Sequence, residues 1–336
     1  MNHKNPPFEI TAQILSYVTD IAELIGRISG AGRLSASPEL RRVNRIKTIH
    51  GSLAIEQNTL SIEQITAVLN GKRVIAPPKD IAEVKNAYEI YEHLDELDPY
   101  SLDSLLFAHG IMTRGLVDES GVFRSRPVGV VDGSGRVLHF GTLPNYVEDA
   151  VKSLLEWTKE SNLPMLIKSC IFHYEFELIH PFADGNGRMG RLWHTLLLSK
   201  WNPLFAWLPV ESIIHDNQQE YYDAINISND NADSTVFIEF MLRAIKSSII
   251  EVLNMSDEMM DETVDKSASI DEKRWARVQS YLHKNDSIRN ADVCRLLDVS
   301  PATANRLLRA WAEKSKLVRF RDGRTWAYRA DVGDGE

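Results

Sequence analysis

Cysteine is nearly absent. Cys170 and Cys294 are the only two in 336 residues, too few for a disulfide framework or a cysteine-ligated metal. No His-x-x-x-His or Cys-x-x-Cys spacing occurs, which argues against a hydrolase built on a metal alone. The amino-terminal stretch Met1-Asn2-His3-Lys4-Asn5-Pro6-Pro7 leads into an amphipathic segment carrying Asp20, Glu23 and Arg27. That is neither a secretory h-region nor a spanning helix, so the expectation is a cytoplasmic protein without membrane contact. Internal repeats and low-complexity tracts are also missing. What remains is a chain with 43% hydrophobic residues, long enough for two or three domains with ordinary cores.

The densest chemistry lies in His180-Pro181-Phe182-Ala183-Asp184-Gly185-Asn186-Gly187-Arg188-Met189-Gly190-Arg191. Apolar stretches flank it, Leu163 to Leu178 and Leu192 to Trp201, so the run reads as helix, tight loop, helix. Gly185 and Gly187 allow consecutive backbone N–H groups to converge at the start of the second helix, where an anion binds readily. Arg188 and Arg191, three apart on the first turn, present planar forks suited to phosphate oxygens. Asp184 beside phosphates is read as a ligand for Mg²⁺, and Asn186 as fixing a phosphate or a metal-bound water. His180, just before the loop and with an ordinary imidazole pKa of roughly 6.5, can accept a proton from an attacking hydroxyl. Phe182 is the packing member that anchors the loop.

These residues resemble the Fic family motif His-x-Phe-x-(Asp or Glu)-Gly-Asn-Gly-Arg-x-x-Arg at every specified position. The resemblance implies a mostly α fold, a Fic-type helical core with a β-hairpin flap, and protein adenylylation. In that reaction AMP passes from ATP to a Ser, Thr or Tyr hydroxyl of a protein, with Mg²⁺ as cofactor. Removal of AMP, or a DNA-binding regulator that senses nucleotide, are the alternatives.

Three further segments fit the resemblance. Ser52-Leu53-Ala54-Ile55-Glu56-Gln57-Asn58 is similar to the family's inhibitory helix, (Ser or Thr)-x-x-x-Glu-(Gly or Asn), and departs from it at Gln57. Ser52 and Glu56 share a helical face, and Glu56 is expected to pair with Arg191. Around Asp132-Gly133-Ser134-Gly135, a hairpin-turn signal, strands Arg124 to Val131 and Arg136 to Phe140 would form the flap. Val128, Val130, Val137 and Leu138 would then dock the target by strand addition. Tyr222, Ile225 and Asn229 resemble the segment that closes over adenine.

Outside the core, Ser61 and Gln64 suit a capping box, Gly71 a helix stop and Pro77-Pro78 a loop. After Leu253 the composition becomes acidic and polar, as in a solvated connector. From Glu272 to Arg329 there are fourteen Lys/Arg against six Asp/Glu, a net charge of about +8 in a chain of −9. A helix from Arg274 to Lys284, another from Ala291 to Leu297 and a third capped by Ser300 with Pro301 at its first position precede two strands around Asp322-Gly323-Arg324. Ala304, Leu307, Leu308 and Trp311 form the inward stripe, leaving Thr303, Arg306 and Arg309 outward. This resembles a winged helix-turn-helix, able to bind DNA or to dock an acidic protein. The expected organisation is a regulatory region at 1–97, the core at 98–253, an acidic connector at 254–271 and the basic module at 272–330. A homodimer that buries Glu56 would be a natural switch.

Overall fold

The computed structural model describes residues 6–31, 38–131, 137–322 and 325–331, with side chains excepted at 29–31, 130–131, 137–139, 256–271 and 325. Two compact units result, Met1–Ser256 and Asp257–Glu336. The region 1–97 therefore belongs to the same unit as the core.

The larger unit opens with α1 (Ala12–Ala31) and α2 (Pro38–Ile55), followed by α3 (Ile62–Leu69), α4 (Pro78–Glu92) and α5 (Leu102–Met112). A short antiparallel pair, β1 (Gly129–Val131) and β2 (Val137–Phe140), precedes α6 (Pro144–Glu160), α7 (Met165–Ile179) and α8 (Asn186–Trp201). A 3₁₀ turn at Pro203–Trp207, α9 (Val210–Asp216) and α10 (Gln218–Asn231) lead into α11 (Thr235–Leu282). Local signals set several of these boundaries. Ser61 accepts from the Gln64 N–H at 3.3 Å while Gln64 Oε1 accepts from the Ser61 N–H at 2.9 Å, a reciprocal cap. Gly71, at φ 71°, follows the end of α3 in the left-handed region that glycine enters without a steric cost. Pro78 is a correction to the expected loop: it is the first residue of α4, where its missing N–H costs no hydrogen bond.

α7 and α8 are apolar on nearly all sides and lie at the centre, with Ile171, Phe172, Phe176, Leu192, Trp193 and Leu196 fully buried. Such helices have no solvent face to keep polar. The site loop is strung between them. Around this pair, α2 packs on α9 so closely that a β-carbon at Gly51 would stand 2.6 Å from the Glu211 carbonyl. Ser212 Oγ donates to the Lys47 carbonyl at 3.0 Å along the same seam. The N-terminal segment is tied to the start of α11: Ser234 N–H donates to the Pro7 carbonyl and Lys246 pairs with Asp20 at 2.8 Å.

The connector expected at 254–271 lies inside α11. Neither glycine nor proline occurs between Thr235 and Leu282, and an acidic composition alone does not end a helix. The smaller unit continues with α12 (Asn290–Leu297), α13 (Pro301–Glu313) and the antiparallel strands β3 (Leu317–Asp322) and β4 (Thr325–Ala330). Ser300 caps α13 by accepting from the Thr303 N–H at 3.2 Å. Ala304, Leu307, Leu308 and Trp311 turn inward onto Val278, Ile288, Val293, Leu317 and Tyr328. Ile288 and Tyr328 exchange backbone hydrogen bonds at 2.8 and 3.0 Å, adding a bridge to the edge of the hairpin. The turn residues Gly323 and Arg324 lie outside the described residues. No described helix is long and apolar enough to cross a membrane. Both cysteines are free, Cys170 buried in the larger unit and Cys294 half-buried in the smaller.

Candidate active site

α7 ends at His180, whose backbone is left-handed (φ 50°, ψ 59°). This reverses the chain into the loop and turns the ring to the mouth of the site. The His180 Nδ1 lies 3.3 Å from the Glu177 carbonyl. A carbonyl only accepts, so the proton sits on Nδ1 and the lone pair on Nε2. Arg124 fastens this end of α7: its Nε donates to the His180 carbonyl at 2.7 Å, Nη1 to Arg126, and Nη2 to Thr142 and Ile179. A buried guanidinium here satisfies helix-terminal carbonyls and favours the negative end of the helix. Arg124 thus bonds the base of the hairpin to the turn at His180. For that reason the strand expected from Arg124 is confined to Gly129–Val131, paired with Val137–Phe140 through Gly129–Phe140 and Val130–His139. Residues 132–136, and the side chains of Val130, Val137 and Leu138, fall outside the described set; Val128 is half-buried, and its carbonyl accepts from the Gly141 N–H at 3.2 Å.

The loop is rigidly braced from within. Asn186 Oδ1 accepts from the Phe182 N–H at 2.8 Å and its Nδ2 donates to the Phe182 carbonyl at 2.9 Å. The amide expected to fix a phosphate is therefore committed to the loop, and Asn186 can contribute its first-turn N–H instead. Phe182 is fully buried, with the His109 ring stacked on it at 3.6 Å. Gly121 N–H donates to His109 Nδ1 at 3.0 Å, so Nε2 carries the proton and donates to the Asp184 carbonyl at 3.1 Å. Burial lowers the His109 pKa to about 4, keeping the ring neutral. Gly185 precedes α8 at φ 85°, a conformation that side chains disfavour.

Both arginines are buried and engaged. Arg188 reaches Glu83 on α4 at 3.2 Å and Asp184 at 3.1 Å, which gives it a bracing role in the loop. Arg191 donates from Nε to Ser52 Oγ at 3.1 Å, and from Nη2 to the Ser52 carbonyl at 2.9 Å and to Glu56 Oε1 at 2.7 Å. Burial is the largest single influence and works against its charge, but Glu56, Tyr221 and Glu177 together outweigh it and raise the pKa. Glu56 follows the last turn of α2, and Gln57 after it sits at φ 67°. The family pattern has glycine or asparagine at this position, the residues that tolerate a left-handed backbone. Glu56 Oε1 also lies directly over Gly187, where any β-carbon would collide with it.

The remaining site residues border one cavity of about 180 Å³, enclosed by Glu56, Glu177, His180, Gly187 and Arg191 on one side and by Tyr221, Tyr222, Ile225, Asn226 and Asn229 of α10 on the other. The three adenine candidates thus meet the motif, although about forty residues separate them from it. Asn229 Oδ1 accepts from the Tyr174 hydroxyl at 3.0 Å, which orients its amide. Glu177 was not anticipated. Burial raises its carboxyl to about 7, and its Oε1, without a hydrogen-bond partner, lies 3.8 Å from His173 Nε2. His109, Glu83, Arg124 and Glu177 carry no local sequence signal, because each acts on residues distant in the chain or buried by them.

Asp184 is 47% exposed, with Oδ1 accepting from Arg188 and from the Gly185 N–H. Among the described residues no group of three His, Cys, Asp or Glu side chains could hold a metal. Mg²⁺ nevertheless fits this donor, since it commonly takes one carboxylate and completes its shell with waters and substrate phosphate oxygens.

Residues 99–198 match the Fic/DOC family. The whole fold is similar to the crystal structure of a Fic family protein from Desulfovibrio desulfuricans G20, with 39% identity and a TM-score of 0.75, covering 99% of this chain and 100% of that one. The protein adenylyltransferase fic-1 of Caenorhabditis elegans is 30% identical over 254 residues, 68% of this chain and 47% of that protein. The protein adenylyltransferase Fic of Nematostella vectensis is 27% identical over 213 residues, 60% of this chain and 47% of that protein. The chain spans about half the length of these curated relatives. With the loop, its braces and a near full-length likeness to a solved member in agreement, this chain belongs to the Fic family.

Proposed function

We propose that the protein is a Mg²⁺-dependent protein adenylyltransferase restrained by Glu56. The observation that carries this reading is the single cavity in which His180, the first turn of α8, Arg191 and the Tyr222–Ile225–Asn229 wall meet. The α8 N-terminus offers unpaired N–H groups to phosphate oxygens, and Gly187 allows an anion to approach the backbone. Tyr222 and Ile225 would flank the adenine, and Asn229 would read its edge.

His180 would take the proton of a Ser, Thr or Tyr hydroxyl on Nε2 as the hydroxyl oxygen bonds to the α-phosphorus. The bond from that phosphorus to the bridging oxygen breaks, and pyrophosphate leaves. Asp184 would hold Mg²⁺, which neutralises charge on the phosphates. The first strand of the hairpin has its base fastened beside His180 by Arg124. An incoming segment added to that strand would carry its hydroxyl toward the base.

Glu56 holds the Arg191 guanidinium that should bind the terminal phosphate, and it covers Gly187. ATP entering beside it would be misaligned for attack. The test is incubation of wild type, Glu56→Gly and His180→Ala with α-labelled ATP and Mg²⁺, followed by gel and mass spectrometry of the protein and of a cell lysate. AMP on protein with Glu56→Gly, absent with His180→Ala, supports the reading. Bound nucleotide without label transfer from any variant refutes it.

A further inference from the structure

Glu177 lines the cavity that His180 shares with α10, yet it has no part in the transfer step. We infer that it is a further nucleotide-binding residue, a carboxylic acid that takes up a proton as the nucleotide enters and donates a hydrogen bond to it. The inference rests on the reading of this cavity as a nucleotide site.

The carboxyl is seated between α7 and α8. A β-carbon at Gly190 would stand 2.8 Å from Glu177 Oε1 and 2.9 Å from the His173 ring, so glycine at that position leaves room for both. Oε1 is buried there without a hydrogen-bond partner, 3.8 Å from His173 Nε2. His173 does not answer it as a cation. Burial, followed by His194 and Arg191, holds that ring well below its ordinary pKa, and its Nε2 lies 3.1 Å from the Tyr221 hydroxyl. The Glu177 side chain is 13% exposed, and that exposure opens on the cavity.

The surrounding charges decide which form the acid takes. Arg191 on α8, Glu56 beyond α2, and Tyr221 and Tyr222 on α10 face it, with His173 on its own helix and His194 behind that ring. Burial is the largest influence and raises the carboxyl to about 7, while Arg191 lowers it and Glu56 raises it. The guanidinium is already matched, since Glu56 accepts from it at 2.7 Å. A polyphosphate brings further negative charge to the same wall, and an ionised Glu177 would repel it. The protonated acid has the opposite effect, because a carboxylic acid held neutral in a closed site donates its O–H to an oxygen of the ligand. Phosphate charge also raises the carboxyl pKa further, so binding draws a proton from solvent onto Glu177 and departure of the nucleotide returns it.

The experiment is calorimetric titration of the full-length protein with Mg²⁺ and α,β-methylene-ATP, which cannot transfer AMP, in buffers of differing ionisation enthalpy. At about pH 8 the wild type should take up more protons than Glu177→Gln, by a difference approaching about one per nucleotide. Between about pH 6 and about pH 8.5 its affinity should fall on the order of tenfold more than that of Glu177→Gln, whose amide keeps an N–H donor at every pH. The same comparison on a His180→Ala background should give the same difference, which assigns the proton to Glu177 and not to the imidazole at the mouth. Infrared difference spectra of the wild type should show a protonated-carboxyl band growing as the nucleotide binds. Equal proton uptake by wild type and Glu177→Gln overturns the inference, as does loss of the difference with His180→Ala. Absence of the infrared band overturns it on wild type alone, whether or not Glu177→Gln folds. If neither protein binds the nucleotide at any pH, the nucleotide reading itself fails and takes this inference with it.

Discussion

Glu56 and Arg191 stand 135 residues apart in the chain, yet their side chains meet at 2.7 Å in the lining of the one cavity that His180 shares with α10. The contact is a buried guanidinium held by a carboxylate that is one-third exposed. Water can therefore reach the acid but not the base.

This arrangement separates two effects of changing Glu56. Glu56→Gly should tighten ATP binding and raise label transfer at least tenfold, while lowering the stability of the larger unit by about 1–3 kcal/mol, because a buried guanidinium loses its carboxylate and keeps only Ser52. Glu56→Gln, which keeps a hydrogen bond to Arg191 without the charge, should fall between the two. Calorimetric ATP titration beside urea denaturation checks this. Unchanged label transfer in Glu56→Gly would remove the inhibitory role.

Gln57 offers a gain in stability. Its left-handed backbone costs about 1 kcal/mol that glycine would not incur. Gln57→Gly should therefore stabilise the turn by roughly 0.5–1 kcal/mol, and by holding Glu56 in place should slow transfer further. Gln57→Val, β-branched, should act in the opposite sense. Thermal denaturation of the three proteins orders them.

Asn186→Ala would leave the Phe182 N–H and carbonyl buried without partners. A loss of about 2–3 kcal/mol is expected, together with loss of transfer activity. Because the side chain is committed to the loop, activity should fall through kcat at least as much as through KM for ATP. A pure KM effect would return the amide to a phosphate-binding role.

His109 predicts an acid limit. Its pKa is depressed from the ordinary value to about 4 by burial, so its contribution is complete above about 6.5 and is lost as pH falls through 4. One ring accounts for on the order of 1–3 kcal/mol. Buried His194, also lowered to about 4 by burial, adds in the same direction. Glu175 and Glu177, raised to about 7 by burial, act oppositely, contributing most below about 4.5 and losing that contribution as pH rises through 7. NMR titration separates them: the His109 resonance should remain that of a neutral ring down to pH 5. A midpoint near 6.5 would mean the ring is not confined between Phe182 and Asp184.

The motif was legible because its chemistry is compressed into twelve consecutive positions, and the Glu56–Arg191 pair because a one-turn spacing puts Ser52 and Glu56 on one face. The helix starts at Ser61 and Ser300 followed from capping chemistry that is local by nature. Arg124, Glu83 and His109 were not legible, since each braces the loop from an element 55 to 105 residues away. The bracing role of Asn186 was not legible either: its two hydrogen bonds to Phe182 depend on the three-dimensional turn of the loop. The helical form of the stretch after Leu253 was not legible in its acidic composition, since its lack of breakers is what permits α11 to continue.

Gly51 sets the scale of any release. At that point α2 touches the backbone of α9 with no room for a methyl group, and five residues later the same chain delivers Glu56. Gln218 on α10 donates to the Ile55 carbonyl at 2.9 Å, joining the end of α2 to the helix that forms the far wall of the cavity. A helix seated this tightly has nowhere to swing without opening the core. If Glu56 restrains transfer as proposed, it would act as a pawl and not a gate: its travel would be the rotation of one carboxylate and the turn from Ile55 to Asn58, and an activator would need to disturb only that much.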